Sequence, residues 1–277
     1  MGNGTTTASS VPVQVSGLTG VTAIAGRYAL RSDGTVWAWG SNWAGALGNG
    51  TTAASLVPVQ VSGLTGVTAI AGGNYTGYAL RSDGTVWAWG YNGAGQLGNG
   101  TTTNSTVPVQ VSGLTGVTAI AGGDADGYAV RSDGTVWAWG SNGAGALGNG
   151  TATDSHVPVK VSGLTGVTAI ASGYATGYAM RSDGTVWAWG YNTYGALGCG
   201  CPASRRWQVL GFGKVGGLRV GVAEVDLDGA VPGQVLVGSD GVVLDPVVLG
   251  VGGQVDRVGD LFEEQPLVLQ GPEAAFA

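Results

Sequence analysis

The chain has 277 residues, 55 of them glycine and only 10 % charged, with a formal net charge of −6. That charge fraction is far below the roughly 25 % of ordinary soluble domains, and without a G-X-Y period the glycine excess excludes collagen. No Lys/Arg cluster exists beyond Arg205-Arg206, which argues against nucleic acid or an anionic membrane as partner. No apolar run reaches the roughly 18 residues of a membrane-spanning helix.

The acidity is uneven. Residues 1–198 hold seven acids and six bases, residues 199–277 ten and five. The opening MGNGTTTASSVPVQV carries no basic segment followed by an apolar stretch, so no signal peptide is read there, and it begins inside a repeat loop. The only cysteines, Cys199 and Cys201, are too close for an unstrained disulfide.

RSDGTVWAWG occurs four times, at 31–40, 81–90, 131–140 and 181–190. VSGLTGVTAIA also recurs four times, from Val15, Val61, Val111 and Val161. Self-similarity at this period marks solenoids and propellers. In the unit 57–100, VPVQV alternates as a first short strand, and Pro58 places it at an edge. VTAIA is a second strand, GYALRS a third and TVWAWG a fourth. The third and fourth are joined through Asp83-Gly84, expected as a two-residue turn with both positions at positive φ. Four short strands in about 50 residues make one propeller blade. The chain therefore reads as all-β, a β-propeller with four clear blades.

Strand alternation sets Trp87 and Trp89 on one face and Val86 and Ala88 on the other. Trp37/Trp39, Trp137/Trp139 and Trp187/Trp189 repeat the pair, as Asp33-Gly34, Asp133-Gly134 and Asp183-Gly184 repeat the turn. Each Trp pair is expected to press on the small-residue face of the next sheet. Repeat 1 lacks four residues between Gly26 and Tyr28, so that blade is expected to be distorted or frayed.

The pattern VxAIAxGxxxxYALRSDGTVWAWGxNxxGxLGNGT resembles the regulator of chromosome condensation repeat, also called the alpha-tubulin suppressor-like repeat. It is carried by Gly73, Ala79, Leu80, Asp83-Gly84, Val86, Trp89-Gly90, Asn92, Gly95 and Leu97-Gly98, with equivalents in the other repeats across about 11–198. The resemblance implies a propeller usually built of seven blades, so four repeats do not complete that ring. The family often has His where this chain has Asn74-Tyr75-Thr76, and no role of that His carries over.

The repeat stops after Leu197-Gly198, dividing the chain into 1–198 and 199–277. Trp207 to Phe212 aligns weakly with Val159 to Leu164, and Ser239-Asp240-Gly241 echoes Ser182-Asp183-Gly184. Three readings stand for the tail: a diverged fifth blade, a small β cap, or a frame-shifted tail without selected structure. Strands are expected at 220–226, 234–237 and 242–249.

Catalytic sets are missing from the repeats. The one histidine, His156, lies in the polar loop TATDSH, and no repeat carries a paired carboxylate or a Ser/His/Asp or Cys/His set. General acid–base and nucleophilic catalysis need such partners, so the chain reads as a non-enzyme without cofactor. Cys199 and Cys201 fall short of four zinc ligands. The Asp-x-Asp-Gly segments at 124–127 and 226–229 lack the oxygens calcium takes and read as polar turns. Asn42, Asn92, Asn142 and Asn192 suit turn-bonding amides, with glycan reading as the alternative. Arg31, Arg81, Arg131 and Arg181 are expected to pair with a neighbouring blade or face solvent.

The repeats differ mainly in loops. After WG these supply Trp43, Tyr91, Tyr191 and Tyr194, and after VTAIA they supply Tyr75, Asp124, Asp126 and Tyr174. Aromatic residues on scaffold loops are where binding proteins place contacts. These eight are the candidate binding residues, against drift after recent duplication. The reading is a binding scaffold for a protein, with a glycan as the alternative ligand. The Gly-, Thr-, Ser- and Trp-rich surface suits an extracellular or envelope setting. Bacterial relatives implied by the resemblance include secreted propellers that inhibit beta-lactamases. Guanine-nucleotide exchange, the role of the founding member, is a further alternative, weakened by the acidic balance and the missing blades. Open blade ends are expected to drive self-association.

Overall fold

The computed structural model describes residues 2–198 and the short strands 213–215 and 218–220. The chain divides into two units, Met1–Asn192 and Thr193–Ala277. The cysteines, the Asp226 turn and nearly all of the expected tail strands lie outside the described residues. In the second unit Gly213–Val215 pairs antiparallel with Leu218–Val220.

Four antiparallel sheets make up the first unit. Sheet one holds β1 (Val21–Ala25), β2 (Tyr28–Arg31), β3 (Val36–Gly40) and β4 (Ser55–Gln60). Sheet two holds β5 (Val67–Gly72), β6 (Thr76–Arg81), β7 (Val86–Gly90) and β8 (Ser105–Gln110). Sheet three holds β9 (Val117–Gly122), β10 (Asp126–Arg131), β11 (Val136–Gly140) and β12 (Ser155–Lys160). Sheet four holds β13 (Val167–Gly173), β14 (Thr176–Arg181) and β15 (Val186–Gly190). Strand order follows the sequence in each sheet, and the VTAIA strands contact one another from sheet to sheet. The fold is that of a β-propeller with four blades.

The blade starts one strand later than the sequence suggests. The VPVQ strand closes the sheet before it: β8 pairs with β7, Trp87 opposite Gln110 and Ala88 opposite Val109. It is an outer edge, as proline requires, because no further strand needs its missing N–H. Val11–Val15, the first copy, forms no strand, having no preceding sheet to pair with among the described residues.

The Asp-Gly turn also differs. Arg81 N donates to Thr85 O and Gly84 N to Arg81 O, both at 2.9 Å. Only Gly84 has positive φ, at 76°, while Asp83 does not. This is a three-residue hairpin with glycine at the left-handed position, not a two-residue turn. Asp83 Oδ1 accepts from the Thr85 amide at 3.0 Å and hydroxyl at 2.6 Å, which leaves Asp83 no reason to turn left-handed.

Three cores fill the three junctions between sheets. Trp89 packs backwards, with Tyr28, Leu30, Val36 and Leu47 of the preceding repeat, not onto the next sheet. Its ring meets Tyr28 edge-on at 5.5 Å, and its Nε1 donates to Ala46 O at 3.1 Å. Tyr28 donates its hydroxyl to the same carbonyl at 2.7 Å. Gln96 O and Ala146 O take the corresponding pairs, Tyr78 with Trp139 and Tyr128 with Trp189. One carbonyl per junction thus joins a tyrosine of its own repeat to a tryptophan of the next. Gly77 lies so close to Trp89 that a Cβ would overlap the indole.

Trp37, Trp87 and Trp137 are half-buried, each donating Nε1 to the turn threonine two residues earlier. Trp187 does the same but is exposed, with Val186 71 % exposed. Sheet four has three strands where the other three sheets have four. Repeat 1 is shortened rather than frayed: β2 has four residues where β6 has six, yet Tyr28, Ala29 and Leu30 are buried and paired.

Candidate functional site

The turn after VTAIA and the loop after VWAWG lie together at one end of each blade. Tyr91 N donates to Tyr75 O at 3.0 Å and Tyr191 N to Ala175 O at 2.9 Å. In sheets two and four the hydroxyls of Thr76 and Thr176 tie the loops by donating to Tyr91 O and Tyr191 O at 3.2 Å. The opposite end carries the hairpin turns. There Asp33, Asp83, Asp133 and Asp183 are held below the usual carboxylate range by hydrogen bonds from the threonines at 35, 85, 135 and 185.

Three candidates converge across the boundary of the first two blades. Trp43 lies 5.1 Å from the Tyr75 ring at 71° and 5.1 Å from the Tyr91 ring at 35°. Trp43 remains 55 % exposed, and the tyrosines are half-buried. Trp43 opens a short 3-10 turn, Trp43–Gly45, in which Ala44 takes a left-handed φ of 58°. A non-glycine residue there costs of order 1 kcal/mol, strain that concentrates at functional positions. The other left-handed non-glycine residue among those described is Ala175, directly after Tyr174. Tyr174 is 73 % exposed and meets Tyr191 edge-on at 6.2 Å. Both strained alanines therefore follow an exposed aromatic residue. Tyr194, in the second unit, is 90 % exposed.

Arg27 completes the first patch. It precedes Tyr28 as Gly77 precedes Tyr78. Its guanidinium lies 5.9 Å from the Tyr75 ring centre and donates to Ser41 O at 2.9 Å and Asn74 O at 3.1 Å. Beside it an open cleft of about 390 Å³ is lined by Arg27, Tyr28, Trp39, Gly72, Gly73 and Asn74, among others. The only signal for Arg27 in the sequence is a charge in the shortened turn of repeat 1, and loop comparison missed it.

Asp126 is not an exposed loop residue. It is 2 % exposed, at the start of β10 in the place of Thr76 and Thr176, while Asp124 beside it is exposed. Burial raises the Asp126 carboxyl to about 7. Burial also pushes the hydroxyls of Tyr28, Tyr78 and Tyr128 up, out of the physiological range.

Asn42, Asn92 and Asn142 are buried loop braces. Asn92 Nδ2 donates to Thr101 O at 2.9 Å and Thr103 O at 3.0 Å, and its Oδ1 accepts from Leu97 N at 2.8 Å. The arginines at 31, 81, 131 and 181 bond within their own repeats, not across blades. Arg81 Nε donates to Thr65 O at 3.1 Å, and the guanidinium sits 3.6 Å from Asp83 and 5.8 Å from the Trp87 ring centre. Among the described residues no group of three His, Cys, Asp or Glu side chains is placed to hold a metal.

Successive antiparallel sheets packed through apolar cores and joined at each junction by a shared carbonyl define a repeat propeller with its variable loops gathered at one end. The sequence profile of the regulator of chromosome condensation (RCC1) repeat matches residues 33–80, 83–126, 133–179 and 183–214. A second profile of the same description matches 67–96 and 167–196. The chain belongs to this family. Among solved structures it is similar to Prp20p from Saccharomyces cerevisiae, at 24 % identity over 62 % of this chain and 45 % of that one, with a TM-score of 0.56. It is similar to human WBSCR16 at 27 % identity over 62 % and 46 %, with a TM-score of 0.55. Yeast RCC1 (Prp20) bound to Kap60 gives 24 % over 62 % and 43 %, with a TM-score of 0.55. The chain spans less than half the length of each. No curated protein sequence matches it. The Prp20p structure was described with its binding to Gsp1p and histones.

Proposed function

We propose that this chain is a non-catalytic protein-binding scaffold whose contact surface is the loop end of the first two blades. The observation that carries the reading is the meeting of Trp43, Tyr75 and Tyr91 on one exposed patch, from two repeats. Exposed Trp and Tyr give large contact area at little entropic cost, and residues of this type dominate interface energetics. The hydrogen bonds that tie these loops to the sheets keep the patch in place before any partner arrives, which lowers the ordering cost of binding. Family members that bind proteins, Prp20p with Gsp1p and histones among them, support the same class of activity.

The test is selection of displayed peptides on the immobilised chain, with the Trp43→Ala/Tyr91→Ala double variant as counter-selection and a glycan array run in parallel. Peptides retained by the native chain and lost by the variant support the proposal. Peptides retained equally by both remove the patch from the binding surface. Binding to glycans alone replaces the protein reading with the carbohydrate one.

A further inference from the structure

The hydroxyl of Tyr128 has one proton and two acceptors within reach. It lies 2.8 Å from Ala146 O and 3.1 Å from Asp126 Oδ2. In the preceding repeats the same hydroxyl donates to Ala46 O and Gln96 O. The residue that replaces Asp126 in sheet two is Thr76, which makes no contact of this kind and ties Tyr91 O instead. Blade three therefore sets a carboxyl beside its tyrosine where blades two and four have a threonine.

With the Tyr128 proton on Ala146 O, the 3.1 Å contact closes only when Asp126 is the carboxylic acid and donates to the phenolic oxygen. With Asp126 ionised, Tyr128 turns its proton to the carboxylate. Ala146 O then keeps its bond from Trp189 Nε1 at 2.8 Å, so that carbonyl is satisfied either way. The cost of the second arrangement falls on Asp126. Its Oδ1 is buried with no hydrogen-bond partner and lies against the backbone of Gly123, where a Cβ would overlap it. A buried anion with one oxygen left without a donor is strongly disfavoured. The titratable groups that act on it are Tyr128 on its own strand and Asp124 on its own turn, and the hydroxyl of Tyr78 of sheet two, which donates to Gln96 O at 2.9 Å, lies 3.3 Å from its main-chain oxygen. No lysine or arginine is among the groups that shift it, and Asp124 adds repulsion.

We propose that Asp126 is a proton-linked latch of the third blade: as the acid it donates to Tyr128 and holds the 123–126 turn closed, and as the carboxylate it frees the turn to open to water. The turn is closed by Gly123 N donating to Asp126 O at 2.9 Å, and the Tyr78 hydroxyl lies 3.3 Å from that oxygen. Opening thus loosens the inner end of the junction between sheets two and three. Its residues are distinct from Trp43, Tyr75 and Tyr91, so the latch and the proposed binding patch are tested separately.

Opening releases a proton at any pH between the ordinary carboxylate value and that of the closed state. The protection of the turn therefore falls about tenfold per pH unit from pH 5 towards 7 and levels off above neutrality. Hydrogen exchange on the full chain reads this directly, and the 23–30 segment of sheet one, two blades away, is an internal control for the intrinsic pH dependence of exchange. The expected result is a steady loss of protection at 121–128 relative to 23–30 across that range, abolished in Asp126→Thr. Parallel pH profiles for 121–128 and 23–30 of the native chain overturn the proposal. Should Asp126→Thr fail to fold, infrared spectroscopy of the native chain with isotope-labelled aspartate decides. A protonated carboxyl band that persists at pH 6 and fades above 7 supports the latch, and its absence at pH 6 overturns it.

Discussion

Trp87 and Trp89 are two residues apart on one face of β7, yet their contributions to stability differ several-fold. Trp89 is fully buried. Truncating a buried aromatic residue to alanine costs about 3–5 kcal/mol. The edge-on contact with Tyr28 accounts for about 1 kcal/mol of that. The lost Nε1–H bond adds a net 1 kcal/mol or so rather than a full orphan penalty, because Ala46 O keeps its 2.7 Å bond from Tyr28. Trp89→Ala is therefore expected to cost about 4 kcal/mol. Trp87 is half-buried, and its Nε1 bonds only the exposed turn hydroxyl of Thr85. Its removal is expected to cost about 1 kcal/mol, chiefly lost packing. The assay is urea unfolding followed by far-ultraviolet circular dichroism, since the remaining indoles would blur a fluorescence signal. Repeats couple chiefly to their neighbours, so hydrogen exchange in Trp89→Ala should show sheet one losing protection while sheet three keeps it. Equal costs for the two variants, or protection lost evenly over all sheets, would refute the backward packing of the blade.

The buried asparagine gives a second expectation. Asn92→Ala leaves the Leu97 amide and two threonine carbonyls without their partner, and roughly 3 kcal/mol should be lost in the same unfolding assay. The four turn aspartates set the acid limb of stability. Their folded values are depressed by threonine hydrogen bonds, so what they contribute is present above the ordinary carboxylate value and lost as pH falls through the depressed one. Acid titration of the thermal midpoint should show this loss flattened in the Asp83→Asn/Asp133→Asn double variant. It is separate from the Asp126 effect, which has the opposite sign and lies at higher pH.

Strand existence was legible in the repeated strings because alternation and turn residues act locally. VTAIA, YALR and VWAWG form strands wherever they occur beside one another, and Pro58 was legible as an edge residue because proline lacks an N–H in any context. Which sheet an edge strand joins is not local. VPVQ joins the strand before it because the intervening loop, braced by Asn92, carries it back alongside Trp87. The same holds for the candidate site. Trp43, Tyr75 and Tyr91 were recognisable as loop aromatics, but that they meet depends on how two sheets stack. Arg27 passed unnoticed because its partners are main-chain carbonyls 14 and 47 residues away. Asp126 and Asp124 are two residues apart in one polar string, and the strand that begins at Asp126 buries one and leaves the other in water. Sequence by itself determined the elements, whose causes lie within a few residues. Tertiary structure decided blade phase, the direction of tryptophan packing and the burial of a charge, because each depends on which surfaces of different repeats exclude water from one another.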